Sequence, residues 1–296
     1  MHFIHRVLLY IAILIVIHFT YKISYEVGIS KSCNISQREF NLYKIRQNMY
    51  LLPPDYEIDK MDNNMLYEIY WKYMNTIQIV CNMQLRLGPF QRSSGYQSCI
   101  DELPKQCLIY SFGSSFNFDF ESSAWKYLGC EIHTFDPSKP IQNRWIPKYT
   151  AFHLIGLSNR NEINNNGWTM KTLTAIKDQL SQENKTVDIL KLDIEGYEWK
   201  VLPELFLSKQ LKYVRQILIE IHFGYIFYQK GKNRTFSETE LFGDVSMQYQ
   251  LKVLRQLFRE GFRIFSHEPH VPSYINIKNQ NIWSLNVISF LNINLI

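Results

Sequence analysis

Short apolar segments alternate with amphipathic segments along most of the chain after residue 100. Five apolar runs have the length of buried strands, and they occupy residues 107–112, 130–135, 150–156, 187–194 and 214–221. Apolar side chains at helical spacing lie between some of these runs, at residues 120–128 and 168–180. Strands that alternate with helices build a mostly parallel sheet that is covered on both faces. The pattern therefore predicts an α/β three-layer sandwich.

The same pattern continues to the last residues. A helix is predicted at residues 247–258, closed by Gly261, and two strands follow at residues 262–267 and 285–291. These two strands suit an antiparallel hairpin that brings the sheet to seven strands. Pro203 interrupts the helical run after Gly196, so we expect a break near Leu202, because proline has no backbone N–H and clashes with the preceding turn.

An accessory helix is predicted ahead of the sheet. Its apolar positions recur at helical spacing over five turns and end at Gly88-Pro89; they are Leu66, Ile69, Tyr70, Tyr73, Ile77, Val80, Cys81 and Leu85. We expect this helix to pack against the sheet domain. The predicted division is an anchor at residues 1–25, a stem at 26–60, an accessory helix and loop at 61–106, and the main domain at 107–296.

The anchor is predicted from the uncharged residues 7–19, which have signal-peptide length. No small-x-small cleavage site follows, and extension to residue 25 gives a marginal membrane span. We expect a single-pass membrane protein with a luminal or extracellular main domain, or a secreted one if the segment is cleaved. A buried helix of a soluble domain is the alternative.

Composition narrows the class of protein. An apolar content of 46% is ample for one large core, and a net charge of +5 without a basic stripe predicts no nucleic-acid partner. Five cysteines without C-x-x-C spacing suit two disulfides with Cys33 left over, and this spacing predicts no zinc site. Sequons at Asn34, Asn184 and Asn233 are glycosylation acceptors if they reach the lumen.

Polar residues collect at the predicted carboxyl ends of the strands, where ligands bind in open α/β sheets. Gly113 follows the first strand, and Asp136 follows the second strand 23 residues later, at the interval of a ribose-binding acid. Asp193 and Glu195 follow the fourth strand. A single glycine in the first turn argues against a pyrophosphate ligand, which needs a glycine-rich cradle.

Residues 188–200, DILKLDIEGYEWK, resemble the K-[IV]-D-[IV]-E-G-x-E segment of FkbM-like methyltransferases. The core more closely resembles the methyltransferase-like protein 24 family, through YSFG at 110–113, GCE and FDPS within 129–138, and EIHF at 220–223. This resemblance implies a Rossmann-like class I methyltransferase fold that uses S-adenosylmethionine (SAM). It also implies that the cofactor-binding residues are Phe112, Gly113, Ser114, Asp136, Pro137 and Asp193.

The residues predicted to carry the chemistry are His222, Asp193 and Glu195. His222 is the candidate base, because an imidazole with a pKa near neutrality can accept the proton of an acceptor; a structural histidine at a strand end is the alternative. Asp193 and Glu195 could orient the acceptor, bind a cation with His222, or cap the next helix. No metal is assigned. Asp119 and Glu121 are predicted as helix-capping residues, and Tyr197 and Trp199 as core residues.

The resemblance thus predicts a SAM-dependent methyltransferase that acts on a hydroxyl, with a glycan or glycoprotein as the suggested acceptor. One alternative is an inactive domain of the same fold that serves as a binding or scaffold module. Another is a glycosyltransferase, since Asp193-Ile194-Glu195 weakly mimics a metal-binding D-x-D triplet.

Overall fold

A computed structural model describes residues 50–89, 95–101, 103–138, 145–222, 245–269, 274–277, 280–283 and 285–296 of the chain. The predicted anchor, Cys33, two of the sequons and the loop at residues 225–243 lie outside these ranges. Within them, no helix combines the length and the apolar character needed to cross a membrane.

The first described elements precede the main sheet. They are helices α1 (Asp55–Ile58) and α2 (Asn63–Met74) and an antiparallel hairpin of strands β1 (Gln84–Leu87) and β2 (Tyr96–Cys99). Asp62 caps α2, since its carboxylate accepts a hydrogen bond from the backbone N–H of Met65. The buried residues of α2 belong to the same apolar cluster as the sheet.

The remaining elements alternate between strands and helices only in part, because several strands follow one another in the middle and near the end of the chain. They are β3 (Leu108–Phe112), α3 (Asp119–Leu128), β4 (Glu131–Phe135), β5 (Ala151–His153), β6 (Gly156–Leu157), β7 (Glu162–Ile163), β8 (Thr169–Lys171), α4 (Leu173–Gln179), β9 (Val187–Leu192), α5 (Glu198–Leu207), β10 (Val214–His222), α6 (Met247–Arg259), β11 (Phe262–Pro269), β12 (Tyr274–Ile277), β13 (Gln280–Trp283) and β14 (Leu285–Asn292).

Seven of these strands form the central sheet in the order β11-β14-β10-β9-β3-β4-β5. Strands β5, β4, β3, β9 and β10 are parallel, and β14 runs antiparallel to both of its neighbours. Every residue of β3 and β9 is buried, which explains why their sequences are mostly apolar; the buried polar exceptions are Ser111, Asp188 and Lys191. The predicted mostly parallel, seven-stranded α/β sheet with an antiparallel hairpin is therefore confirmed.

The predicted five-turn accessory helix is wrong in its second half. Helix α2 ends at Met74, and the backbone N–H groups of Gln78 and Ile79 both donate to the carbonyl of Ile264 in β11. The following residues enter the β1–β2 hairpin, which a disulfide between Cys81 and Cys99 closes. Tertiary hydrogen bonds and a covalent link thus override the local helical periodicity.

Two predicted elements near the middle of the chain also differ. The predicted third strand divides into β5 of the central sheet and β6 of a small sheet with β7 and β8. The predicted helix at residues 168–180 is strand β8 followed by the shorter helix α4, because Thr172 caps that helix with its hydroxyl on the backbone N–H of Ala175.

The predicted helix break at Leu202 is absent, and α5 runs through Pro203 without interruption. Proline cannot donate to the carbonyl four residues earlier, which belongs to Trp199. That carbonyl instead accepts a hydrogen bond from the hydroxyl of Tyr249 in α6, at 3.2 Å. A side chain from a neighbouring helix thus satisfies the acceptor that the proline leaves open.

Two disulfides are present in the described part of the chain, and their number agrees with the prediction. Cys81 pairs with Cys99 in the hairpin, and Cys107 pairs with Cys130. The second bridge joins the residues just before β3 and β4, at the amino edge of the sheet. It therefore lies at the edge opposite the strand ends that carry the candidate site.

Candidate functional site

A cavity of about 610 Å³ opens at the carboxyl ends of β3, β4 and β9. All six residues predicted to bind a cofactor line it, together with Glu195. Parallel strands present their carboxyl ends at one edge, which is why residues distant in sequence meet there. The small β6–β8 sheet contributes part of the wall through Gly156, Leu157 and Met170.

The turn after β3 holds a conformation that disfavours most side chains. Gly113 has a φ of +79°, and a Cβ atom on it would lie 1.7 Å from the carbonyl oxygen of Asp193. Ser115 and Phe116 also have positive φ, although neither is a glycine. Gly113 was predicted because it would let the backbone approach a ligand. The structure shows that it also lets the backbone pass close to the carbonyl of Asp193 at the end of β9.

Asp136 holds this turn in place. One of its carboxylate oxygens accepts hydrogen bonds from the backbone N–H groups of Ser114 and Ser115, at 3.0 and 2.6 Å, and from the Ser114 hydroxyl. The other accepts from the backbone N–H and the hydroxyl of Ser138. Both oxygens therefore have protein donors, and the predicted contact of Asp136 with a ribose remains a prediction.

Glu121 is a cavity residue that the sequence interpretation placed in a helix cap. It is 1% exposed, and one of its oxygens accepts from the Thr134 hydroxyl while the other has no hydrogen-bond partner. Burial raises the pKa of this carboxyl group, and the nearby Lys191 ammonium opposes the rise. Asp119 does not cap α3 either; its own backbone N–H donates to the Asn117 side chain.

Lys191 brings a positive charge to the cavity wall, but backbone carbonyls already engage its ammonium group. Nζ donates to the carbonyls of Phe112 and Gly113 and lies 3.7 Å from the Asp193 carboxylate. The ring of Tyr96 lies 5.4 Å from the same nitrogen. This lysine therefore joins the ends of β3 and β9 from within the sheet.

The chain turns sharply after β9. Glu195 has a φ of +55° and Gly196 a φ of +90°, so the extended geometry that would place Asp193 and Glu195 on one side does not persist. Even so, Asp193, Glu195 and His222 each offer one ligand atom, and all of these atoms lie within 4.8 Å of one another. The structure therefore brings the three predicted catalytic residues together.

His222 lies between two carboxylates. Its Nδ1 is 3.2 Å from Glu198, which is fully buried, and its Nε2 is 3.5 Å from Glu195, whose side chain is 77% exposed. Burial opposes a charge on the ring, but Glu198, Asp193 and Glu220 outweigh it and raise the pKa of His222 to about 10. The ring is then a cation at neutral pH, and a general base at this position would first have to lose that proton.

Two more buried groups border this cluster. The Tyr96 hydroxyl donates to Asp193 at 3.2 Å, so the β1–β2 hairpin contacts the site. Glu220 is 4% exposed and has no hydrogen-bond or ion-pair partner among the described residues. Burial, together with the Asp193 carboxylate, raises the pKa of Glu220.

Several cavity residues were missed or misplaced by the sequence interpretation. Tyr197 lines the cavity, whereas Trp199 is a core residue as predicted, with Nε1 donating to the carbonyl of His222. Glu121 adjoins Phe120 and lies three residues before Ala124, both of which are buried. Its position beside the apolar stripe of α3 was the available signal that it faces the sheet.

A comparison with known families matches residues 46–271 to a family described as a methyltransferase domain. Two curated relatives are called "Probable methyltransferase-like protein 24". The one from Homo sapiens is 26% identical over 66% of this chain, and the one from Rattus norvegicus is 27% identical over 65%. The chain spans about half the length of these relatives, 55% of each.

A solved structure of M. capricolum TrmK with S-adenosyl-homocysteine covers 64% of both chains at 8% identity, with a TM-score of 0.30. A likeness this low carries no weight for the site. The family match, in contrast, covers most of the chain and includes every residue that lines the cavity. The chain therefore belongs to the methyltransferase domain family, as the motifs around Gly113 and Asp193 predicted.

Proposed function

We propose that the protein is a SAM-dependent methyltransferase that acts on a hydroxyl acceptor. The observation that carries the proposal is the charge of the cavity wall. Four carboxylates line the described cavity, against a single lysine whose ammonium already contacts two carbonyls; the acids are Glu121, Asp136, Asp193 and Glu195. Such a wall favours a cationic ligand over a phosphate-bearing one.

The residues present fit SAM. When bound, SAM supplies an electrophilic methyl group on a sulfonium centre, and its amino-acid end carries an ammonium group. The unpartnered Glu121 oxygen is a buried acceptor suited to that ammonium, because a buried carboxylate oxygen without a donor is costly. No arginine lines the described cavity, which counts against NAD or a nucleotide sugar.

On this proposal, Asp193 and Glu195 orient the acceptor hydroxyl, since both line the cavity. His222 holds the exposed Glu195 carboxylate toward the cavity, and the buried Glu198 holds His222 in turn. Proximity and alignment are the main contributions that a protein makes to a transfer of this kind.

A polar acceptor is supported by a second cavity of about 680 Å³, which shares Asn166 and Tyr197 with the first. Its other lining residues are mostly amides, hydroxyls and charged groups, including Asn159, Arg160 and Lys200. Groups of this kind bind sugar hydroxyls through hydrogen bonds. A glycan is therefore the acceptor class that we propose.

Calorimetric titration of SAM into the metal-free protein tests the proposal. We expect binding, and we expect Glu121→Gln to weaken it about 10-fold or more, because a charged hydrogen bond contributes roughly 1.5–3 kcal/mol. The matched control is Glu183→Gln, an exposed acid in the loop before β9, which should leave binding unchanged. 5′-Methylthioadenosine, which lacks the amino-acid end, should bind both variants equally.

A folded protein that does not bind SAM would contradict the proposal. Two alternatives are distinguished by the same titration. Binding of a nucleotide sugar in place of SAM would favour the glycosyltransferase. Binding of neither would favour the scaffold module, for which the specific observation is that protein donors already occupy both Asp136 oxygens.

We also propose that the main domain works in an oxidising compartment, anchored by the N-terminal segment. The two disulfides support an extracellular or luminal location, because such bonds persist in the secretory pathway and are rare in the cytosol. The anchor itself rests on the sequence of residues 7–19.

A further inference from the structure

The ends of β9 and β10 carry more negative than positive groups. Four carboxylates act on one another there, those of Asp193, Glu195, Glu198 and Glu220. Two basic groups, Lys191 and His222, oppose them. Carboxylate oxygens gathered in one place are the ligands that a divalent cation prefers.

The geometry around His222 is that of a metal ligand. Metal-binding histidines usually donate the second ring N–H to a carboxylate, which fixes the tautomer and the ring orientation. Glu198 occupies that position, at 3.2 Å from Nδ1, and it has no solvent exposure. Nε2 points toward Glu195, and a metal ion bound there would displace the proton that this nitrogen carries in the metal-free protein.

Glu220 is a second, independent sign that a ligand belongs in this place. Its carboxyl group is 4% exposed and lacks a partner among the described residues, while its strongest charge interaction is with Asp193. Strand pairing explains this position: Ile219 pairs with Leu192, so Glu220 stands beside Asp193 at the next step of the parallel ladder. An unpartnered acid thus faces the candidate ligand set.

We propose that Asp193, Glu195 and His222 bind a divalent cation, with Glu220 beside it. Ligand atoms opposite one another on such an ion lie about 4.2 Å apart, twice a bond of about 2.1 Å. The three ligand atoms already lie within 4.8 Å, and the exposed Glu195 side chain can close the remaining difference. Binding of the ion by these residues does not depend on the methyltransferase proposal.

The role of the ion does rest on the proposed function. Asp193 and Glu195 line the cavity, so an ion between them would face an acceptor bound there. A divalent cation that coordinated the acceptor hydroxyl would lower its pKa, so that its proton could pass to water while the methyl group moves from the sulfonium to the oxygen and S-adenosyl-homocysteine leaves. Two carboxylates and one imidazole suit Mn²⁺, which accepts both hard oxygen and nitrogen ligands.

Electron paramagnetic resonance with Mn²⁺ alone tests the site without any measurement of activity. The full-length protein is freed of metal with a chelator and titrated, and loss of the six-line signal of free Mn²⁺ reports binding. We expect one Mn²⁺ per chain. Asp193→Asn and Glu195→Gln should each weaken binding at least 10-fold. Glu57→Gln, an exposed acid on α1, is the matched control and should leave binding unchanged.

Glu195→Gln is the decisive variant, because substitutions of an exposed side chain change stability little, and lost binding would then report a lost ligand. Absence of Mn²⁺ binding would overturn the inference, and so would binding that neither Asp193→Asn nor Glu195→Gln weakens. SAM binding without Mn²⁺ binding would overturn the cation site and leave the methyltransferase proposal standing. Mn²⁺ binding without SAM binding would support the cation site and contradict the methyltransferase proposal.

Discussion

His222 illustrates at the residue scale how one side chain depends on charges from three elements. Glu198 comes from α5, Asp193 and Glu195 from the turn after β9, and Glu220 from the same strand as His222 itself. The ring is nearly buried, and its cationic form is stabilised by these acids. Protonation of His222 is therefore coupled to folding.

This coupling predicts a pH-dependent stability. The folded-state pKa of about 10 lies above the usual 6.5, so the stabilisation is fully present below pH 6.5 and is lost as the pH rises through 10. The raised pKa of Glu220 acts in the same direction. We expect chemical denaturation of metal-free protein to show a loss of roughly 2–4 kcal/mol between pH 6.5 and pH 10, at about 1.4 kcal/mol per pKa unit.

His222→Asn is the comparison. It should be less stable than the unsubstituted chain at pH 6.5, because Glu198 loses its partner, and the difference should narrow toward pH 10. A difference that stays constant over this range would show that His222 is neutral in the folded protein.

The residues of the site were largely predictable, but their contacts were not. Gly113, Asp136 and Asp193 were recognised because each follows a strand, and strand ends meet at one edge. One Asp136 oxygen accepts hydrogen bonds from the turn after β3, and this contact depends on the positive φ of Ser115, which the residue type does not predict. Glu121 was misassigned because its burial depends on how α3 lies on the sheet.

At the element scale, the strands of the central sheet were predicted well, whereas the small sheets and the irregular helices were predicted poorly. Strand β9 is mostly apolar because both of its faces are covered, and its sequence alone identified it although Asp188 and Lys191 interrupt the apolar run. Helix α2 was predicted too long because the hydrogen bonds that end its run come from Ile264, far along the chain. Helix α5 continues through Pro203 for an equally distant reason, the Tyr249 hydroxyl.

The β1–β2 hairpin lies against the central sheet and supports the site. The side chain of Gln216 in β10 contacts both the N–H and the carbonyl of Cys99, at 2.8 and 2.6 Å. We expect Cys81→Ser/Cys99→Ser to lower the free energy of unfolding by about 3 kcal/mol, as for other closed loops of this length. Denaturation under non-reducing conditions measures the change.

Hydrogen exchange identifies where the loosening occurs. The amides of Tyr96–Cys99 should exchange faster in the double variant, and those of Val187–Leu192 should change less, because the pairing of β9 with β3 and β10 still holds them. Equal acceleration in both segments would mean that the hairpin opens only together with the central sheet.

At the scale of the whole molecule, the location proposal has a direct test. Asn184 is exposed in the loop before β9, at the amino edge of the sheet and away from the cavity. A domain made in the secretory pathway should carry a glycan there, so Asn184→Gln and Thr186→Ala should each remove one glycosidase-sensitive mass shift. Protein that lacks this glycan and titrates with free thiols at Cys107 and Cys130 would contradict the location.

Strand β14 occupies an interior place in the sheet, between β10 and β11, although both of these strands precede it in sequence. During synthesis, β10 and β11 therefore leave the ribosome without the partner that joins them. Their unpaired edges stay open to other chains until residues 285–292 have emerged. We expect a chaperone to protect the nascent chain over that interval. A stop codon before residue 285 should prevent the fold from forming, because β14 is the strand that joins β11 to the rest of the sheet.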